Sequence, residues 1–147
     1  QLRLHHGTHV YFPEHVVGID NRDTWPEWNL SGRAEIRTID PSVDPDKSFL
    51  RDAEEIVLFD TDETELREPH VDAILDSDVR VVGTDHLLIG DLEAHRRLLS
   101  HDVLIIERII NLGKPKADTG DLYCFCTLIQ GCGDGAPVTL AFDPDGT

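Results

Sequence analysis

The sequence predicts an α/β fold built on a mixed β-sheet, and three features of its 147 residues carry that prediction. Short apolar runs of strand length recur at Ile56–Phe59, Val79–Val82 and Val103–Ile106. Segments with apolar residues at helical spacing separate these runs. Alternating segments flank the whole array, an order that builds strand–helix–strand units. The 39% hydrophobic content supports one core, so residues 1–147 are expected to form a single domain. No apolar stretch approaches the ~20 residues of a membrane helix, and no basic-plus-apolar leader precedes a small-residue cleavage site.

Taken in order, residues 1–15 read as a short strand, a tight turn at Gly7 and an extended piece ended by Pro13. Residues 16–32 read as loop, punctuated by Trp25-Pro26, Trp28 and Ser31-Gly32. Ala34 to Ile39 alternates apolar with polar and predicts a strand. Asp40-Pro41 and Asp44-Pro45 then break the chain, and Ser48 is placed to cap a short helix over 49–54. After the strand run at 56–59, residues 69–76 predict a helix with Val71, Ile74 and Leu75 on one face. The next strand is Val79 to Val82. Asp91 is placed to cap a helix through Ser100, with Leu92, His95, Leu98 and Leu99 inward. Val103 to Ile106 is an apolar strand ending at Glu107, and a loop and strands near 122–129 and 137–142 complete the chain. There is no internal repeat and no low-complexity tract.

Charge narrows the class of partner. Thirteen basic against 29 acidic residues give −16, and only three of the basic residues are lysines (Lys47, Lys114, Lys116). Such a surface repels phosphate backbones and anionic lipid, which leaves a small molecule as the expected ligand rather than nucleic acid or membrane. An Asp-rich, Lys-poor composition also suits concentrated salt, where screening removes self-repulsion. Three cysteines, Cys124, Cys126 and Cys132, argue against a disulfide framework and for a reducing cytoplasmic compartment. The Cys124-x-Cys126 pair reads either as a metal-binding spacing or as two same-face residues of a strand. The chain holds no methionine and begins at Gln1, so sequence upstream of it is expected.

The densest chemistry lies in His5-His6-Gly7-Thr8-His9-Val10-Tyr11-Phe12-Pro13-Glu14-His15, which holds four of the eight histidines. Imidazole is the commonest metal ligand near neutral pH, and Gly7 permits the backbone to bring His5 and His9 together. A solvent-exposed histidine-rich loop is the other reading of the same residues. His95 on an apolar helix face is by itself an ordinary core histidine. Glu107, at the end of an apolar strand, requires a partner, and a metal or Arg108 would serve. His70, His86 and His101 read as solvated loop or helix-end residues. The acidic stretches 40–46 and 60–63 read as solvated loops, because they lack the spacing of a calcium loop.

The pattern His-x-Gly-Thr-His-x-Asp-x-Pro-x-His, matched here at His5, Gly7, Thr8, His9, Pro13 and His15, resembles the signature of the cyclase family of metal-dependent hydrolases. That family includes bacterial kynurenine formamidase and isatin hydrolase. The similarity continues through Val82-Gly83-Thr84-Asp85, the Ala94-His95 pair, and Glu107 in Ile106-Glu107-Arg108-Ile109-Ile110-Asn111-Leu112. It departs at Leu87-Leu88-Ile89-Gly90, where the family usually has Ser-x-Asp, and at Tyr11, where the family has an aspartate that ligates the metal. Family members also carry a strand and helix before the histidine motif, so the chain is expected to lack an N-terminal segment.

The resemblance implies helices packed outside the mixed sheet, a homo-oligomer, and a hydrolase that opens an amide or lactone with metal-activated water, arylformamidase-like. It implies His5 and His9 as ligands of one divalent ion, zinc or manganese, His95 and Glu107 as ligands that complete that site or hold a second ion, and His15 as the general acid/base. Tyr11 and Trp25 are expected at the substrate, Trp25 with core packing as its other reading. Neutral tyrosine is a poor ligand for zinc or manganese, so the replacement of the bridging aspartate argues against two metals. It also opens a second reading, a catalytically silent subunit that keeps the fold for ligand binding or assembly.

Overall fold

The central strands of this chain are continuous apolar runs whose successive side chains feed two cores, one inside a curled sheet and one outside it. The computed structural model describes residues 3–11, 30–126 and 136–146, with the backbone course alone for 3–11, 126 and 136–137. Among these residues seven strands run in chain order: β1 (Arg3–Tyr11), β2 (Gly32–Thr38), β3 (Ile56–Asp60), β4 (Val81–Thr84), β5 (Leu104–Glu107), β6 (Thr119–Cys126) and β7 (Ala136–Pro144). Helix α1 (Glu68–Leu75) joins β3 to β4, and α2 (Leu92–Ser100) joins β4 to β5. The sheet is mixed and closes into a barrel in the order β1-β5-β4-β3-β2-β6-β7. Strands β2 to β5 are parallel, whereas β1 and β6 pair antiparallel with both their neighbours.

Period-two alternation sorts the side chains. Ala34, Ile36, Ile56, Leu58, Val81, Ile106 and Leu140 pack together inside the barrel, all buried. Val57, Phe59, Val82 and Ile105, on the other face of the same strands, pack with Val71 and Ile74 of α1 and Leu98 and Leu99 of α2. Full burial of each such side chain stabilises by about 1.5–3 kcal/mol. The packing is close at Gly83: a Cβ there would stand 2.6 Å from terminal methyls of both Leu58 and Ile109, which would have to shift to admit it.

Several expectations are corrected. No helix forms over 49–54; turns occupy 47–52, because the Asp46 carboxylate accepts from both the backbone and the hydroxyl of Ser48 and competes with helix propagation. The expected tight turn at Gly7 is instead a register irregularity within one strand, with the two residues of β1 between His5 and Thr8 set against the one residue of β7 between Leu140 and Val138. Leu92 is 62% exposed, and Ala94 takes the inward position expected of it. His70 is not solvated: it is 1% exposed, edge-on to Phe49. Cys124 lies on β6 packed against the inner core, and Cys126 is two register positions on. His15, Trp25, Trp28 and Cys132 lie outside the described residues.

Candidate functional site

The parallel strands β2 to β5 all end at one rim of the barrel, the end where α/β sheets usually bind ligands. Four of the five non-glycine residues with positive φ among the described residues, Asp62, Glu63, Arg108 and Asn111, follow β3 and β5 at this rim. Left-handed backbone at such residues is costly and collects where geometry is functionally constrained.

At its centre, Glu107 ends β5 and is 1% exposed. Its Oε1 lies 2.8 Å from His95 Nε2 and accepts the Ile89 backbone N–H at 2.7 Å. Its Oε2 is buried and has no hydrogen-bond partner among the described residues. Arg108, one candidate partner, takes a left-handed conformation (φ 58) and is exposed, so it is not the group that satisfies this carboxylate.

His95 is brought to Glu107 by the start of α2. Gly90 takes φ 64, a turn that a side chain would oppose, since a Cβ there would stand 2.7 Å from that of Ala94. Asp91 follows as N-cap, its carboxylate accepting the Ala94 N–H at 2.9 Å. The Asp91 carbonyl lies 3.0 Å from His95 Nδ1. An Nδ1–H donated there fixes the ring and turns Nε2 toward Glu107, the outer-shell support typical of metal-binding histidines. Burial pushes the His95 imidazole down, but the Glu107 bond and the Asp91 carbonyl outweigh it and hold it above its usual range.

Strand β1 enters beside this pair. His9 is the register partner of Glu107 across β1 and β5, and Tyr11 is that of Ile105. His5 is paired with Leu140 on the other side of β1. Three of the sequence-predicted residues, His9, His95 and Glu107, are thus placed at one end of the barrel by backbone register and, for the last two, by direct contact. Among the described residues no group of three metal-ligating side chains gathers, and the His95–Glu107 pair supplies two groups of types that fit a divalent cation. A buried carboxylate with one orphaned oxygen needs a positive partner, and imidazole and carboxylate are the ligand types of zinc and manganese sites.

Asp85 is the residue that sequence reasoning left without a role. Its carboxylate accepts from the Thr61 N–H (3.0 Å), the Thr61 hydroxyl (2.6 Å) and the Glu63 N–H (2.9 Å), tying the loop after β3 to the end of β4. Burial raises the Asp85 carboxyl, yet these three bonds prevail and hold it below the usual carboxylate range. Its place directly after a strand, in Gly83-Thr84-Asp85, was the available signal.

No family model matches the chain. It is 30% identical over 112 residues to the uncharacterized protein MJ0783 of Methanocaldococcus jannaschii, an alignment covering 69% of this chain and 58% of that protein. The chain therefore spans less than two thirds of that relative's length. Among solved structures, it is similar to a potential metal-dependent hydrolase with cyclase activity, at TM-score 0.67 and 25% identity over 92% of this chain and 77% of the other. A predicted metal-dependent hydrolase from Bacillus stearothermophilus matches with the same TM-score and identity, covering 92% of this chain and 75% of that one. An isatin hydrolase bound to thioisatinate gives TM-score 0.68 at 18% identity, over 94% and 71% of the two chains. The mixed, curled sheet with its two outer helices is thus a fold that this chain has in common with these solved structures.

Proposed function

We propose that this chain is a metal-dependent hydrolase that opens an amide or lactone, with arylformamidase-like substrates. The observation that carries the reading is the buried Glu107 carboxylate, with one oxygen on His95 Nε2, the other without a partner among the described residues, and His9 opposite it in strand register. The similarity in fold to metal-dependent hydrolases supports it. His9, His95 and Glu107 would hold one divalent ion, zinc or manganese, with His5 as a further ligand. Such an ion lowers the pKa of water and polarises a carbonyl. His95 is oriented for this by the Asp91 carbonyl, and Glu107 by the Ile89 N–H.

His15 carries the proton to the leaving group, Tyr11 offers a hydroxyl to the substrate, and Trp25 walls its flank. We place the protein in the cytoplasm, as a homo-oligomer with a small-molecule substrate. Its cysteine usage and strongly negative charge support that placement.

The test is His15→Ala, with metal content and formanilide or lactone hydrolysis measured on the same sample. Metal should be retained while the rate falls by about 10²–10⁴; a variant as fast as its parent removes His15 from the mechanism. Tyr11 favours a second reading, the silent subunit. If the parent has no activity and Tyr11→Asp gains metal-dependent hydrolysis, that second reading stands.

A further inference from the structure

Between β2 and β3 the chain runs through residues 40–53 as a strap with neither strand nor helix. Its backbone hydrogen bonds are local, from Val43 to Asp40, Phe49 to Asp46, Arg51 to Ser48 and Ala53 to Leu50. Side chains clasp it to the rest of the fold. Arg67, at the start of α1, donates through Nε to the Pro41 carbonyl at 2.6 Å and through Nη2 to the Ser42 carbonyl at 3.0 Å, and it pairs with the Asp44 carboxylate. From β2, Arg37 donates to the Phe49 carbonyl and lies over the Phe49 ring, 5.9 Å from its centroid. That ring stacks on Phe59 of β3 at 5.9 Å, and His70 of α1 meets it edge-on at the same separation.

His70 is the member of this clasp that acid can change. The residue is buried, and its Nδ1 has no hydrogen-bond partner among the described residues. The charged groups around it are Arg67, Asp44 of the strap, and Arg37, which reaches it only through Phe49; Phe59 of β3 brings none. Burial holds the imidazole below its usual range and the Arg67 guanidinium adds to that effect, against the weaker pull of the Arg67 and Val43 backbone and of Asp44. A second ring proton there would need an acceptor that the closed arrangement does not supply. The strap is also loosely seated. A cavity of about 640 Å³ lies beneath it, between Phe49, Leu50 and Ala53 on one side and Pro69, Ala73 and Val79 on the other.

We propose that His70 is an acid-sensitive catch: the neutral ring lets the 40–53 strap close on α1, and protonation lifts the strap while the barrel stays folded. Local opening of this kind is available to a segment held by side chains rather than by a strand ladder. The sign follows from the lowered value of the buried ring. Closure is fully stabilised above 6.5, the value of a free imidazole, and weakens as pH falls from there toward the lowered one. The catch uses none of the residues assigned to metal or substrate, so it stands apart from the hydrolase reading.

Hydrogen exchange of the full chain, read by mass spectrometry at pH 7.5 and 5.5 and corrected for the intrinsic rate at each pH, tests the catch. Ordinary carboxylates are ionised throughout that window, whereas a released imidazole gains its proton within it. Protection over 40–53 should fall by up to roughly tenfold at pH 5.5, the limit set by one proton bound to the open form, while β3, β4 and β5 keep theirs. His70→Leu and His70→Gln fill the position without titrating, and each should show the same protection of the strap at both pH values.

Strap protection in the parent that is unchanged by pH would overturn the proposal. A fall shared equally by β3, β4 and β5 would overturn it too, in favour of global acid unfolding. An undiminished acid response in either variant would assign the effect to another histidine.

Discussion

A carboxylate removed from water must be compensated, and at Glu107 the described residues compensate only one of its two oxygens. Asp85 is the contrasting case, since its three bonds compensate it fully and make it a structural anchor. Asp85→Asn should destabilise the protein by about 2 kcal/mol near pH 7, because a charge-assisted acceptor of three donors becomes a neutral one. Its folded-state pKa lies below the ordinary 3.8, so its contribution is complete above that value and is lost as pH falls through the lowered one. The melting-temperature gap between parent and variant should therefore be constant from pH 7 to 5 and close in stronger acid; a pH-independent gap would remove the charge from the account. At this scale Glu107 was legible, because an acid ending an apolar run demands a partner, whereas His95 alone read as an ordinary core histidine and was singled out by the resemblance and by its place twelve residues before Glu107. Asp85 and the buried His70 were not, because their surroundings come from loops distant in sequence.

Among the elements, α2 sets the geometry of the site. Its cap was readable from Gly90-Asp91 followed by an amphipathic run, and the helix begins and ends where that pattern does. Strands β3, β4 and β5 were readable for the same local reason, although β4 begins two residues later than expected. The helix expected over 49–54 does not form, because Asp46 supplies a local hydrogen-bond alternative that a helical pattern does not show. Asp91→Ala should cost about 1 kcal/mol of stability by freeing the Ala94 N–H. It should also weaken metal binding, since the same turn holds His95 Nδ1 on the Asp91 carbonyl. Chemical denaturation and metal titration of one sample read both effects; unchanged metal affinity with reduced stability would mean that the cap does not position His95.

Over the whole molecule, barrel closure was the feature least visible in sequence. It depends on Arg3 of β1 pairing with Phe142 of β7 and His9 with Glu107, contacts between distant parts of the chain that no local pattern encodes. Charge, by contrast, was fully legible. At −16 the molecule repels itself at low ionic strength, so its melting temperature should rise from low to molar salt. A flat or falling trend would reject adaptation to concentrated salt.

The central claim is that the His95–Glu107 rim is a metal site. Elemental analysis of the untagged chain, purified without chelator in high salt, tests it most directly. About one zinc or manganese per chain, lost in both His95→Ala and Glu107→Gln, is the predicted result. No stoichiometric metal after incubation with excess ion, or full occupancy in both variants, would contradict it.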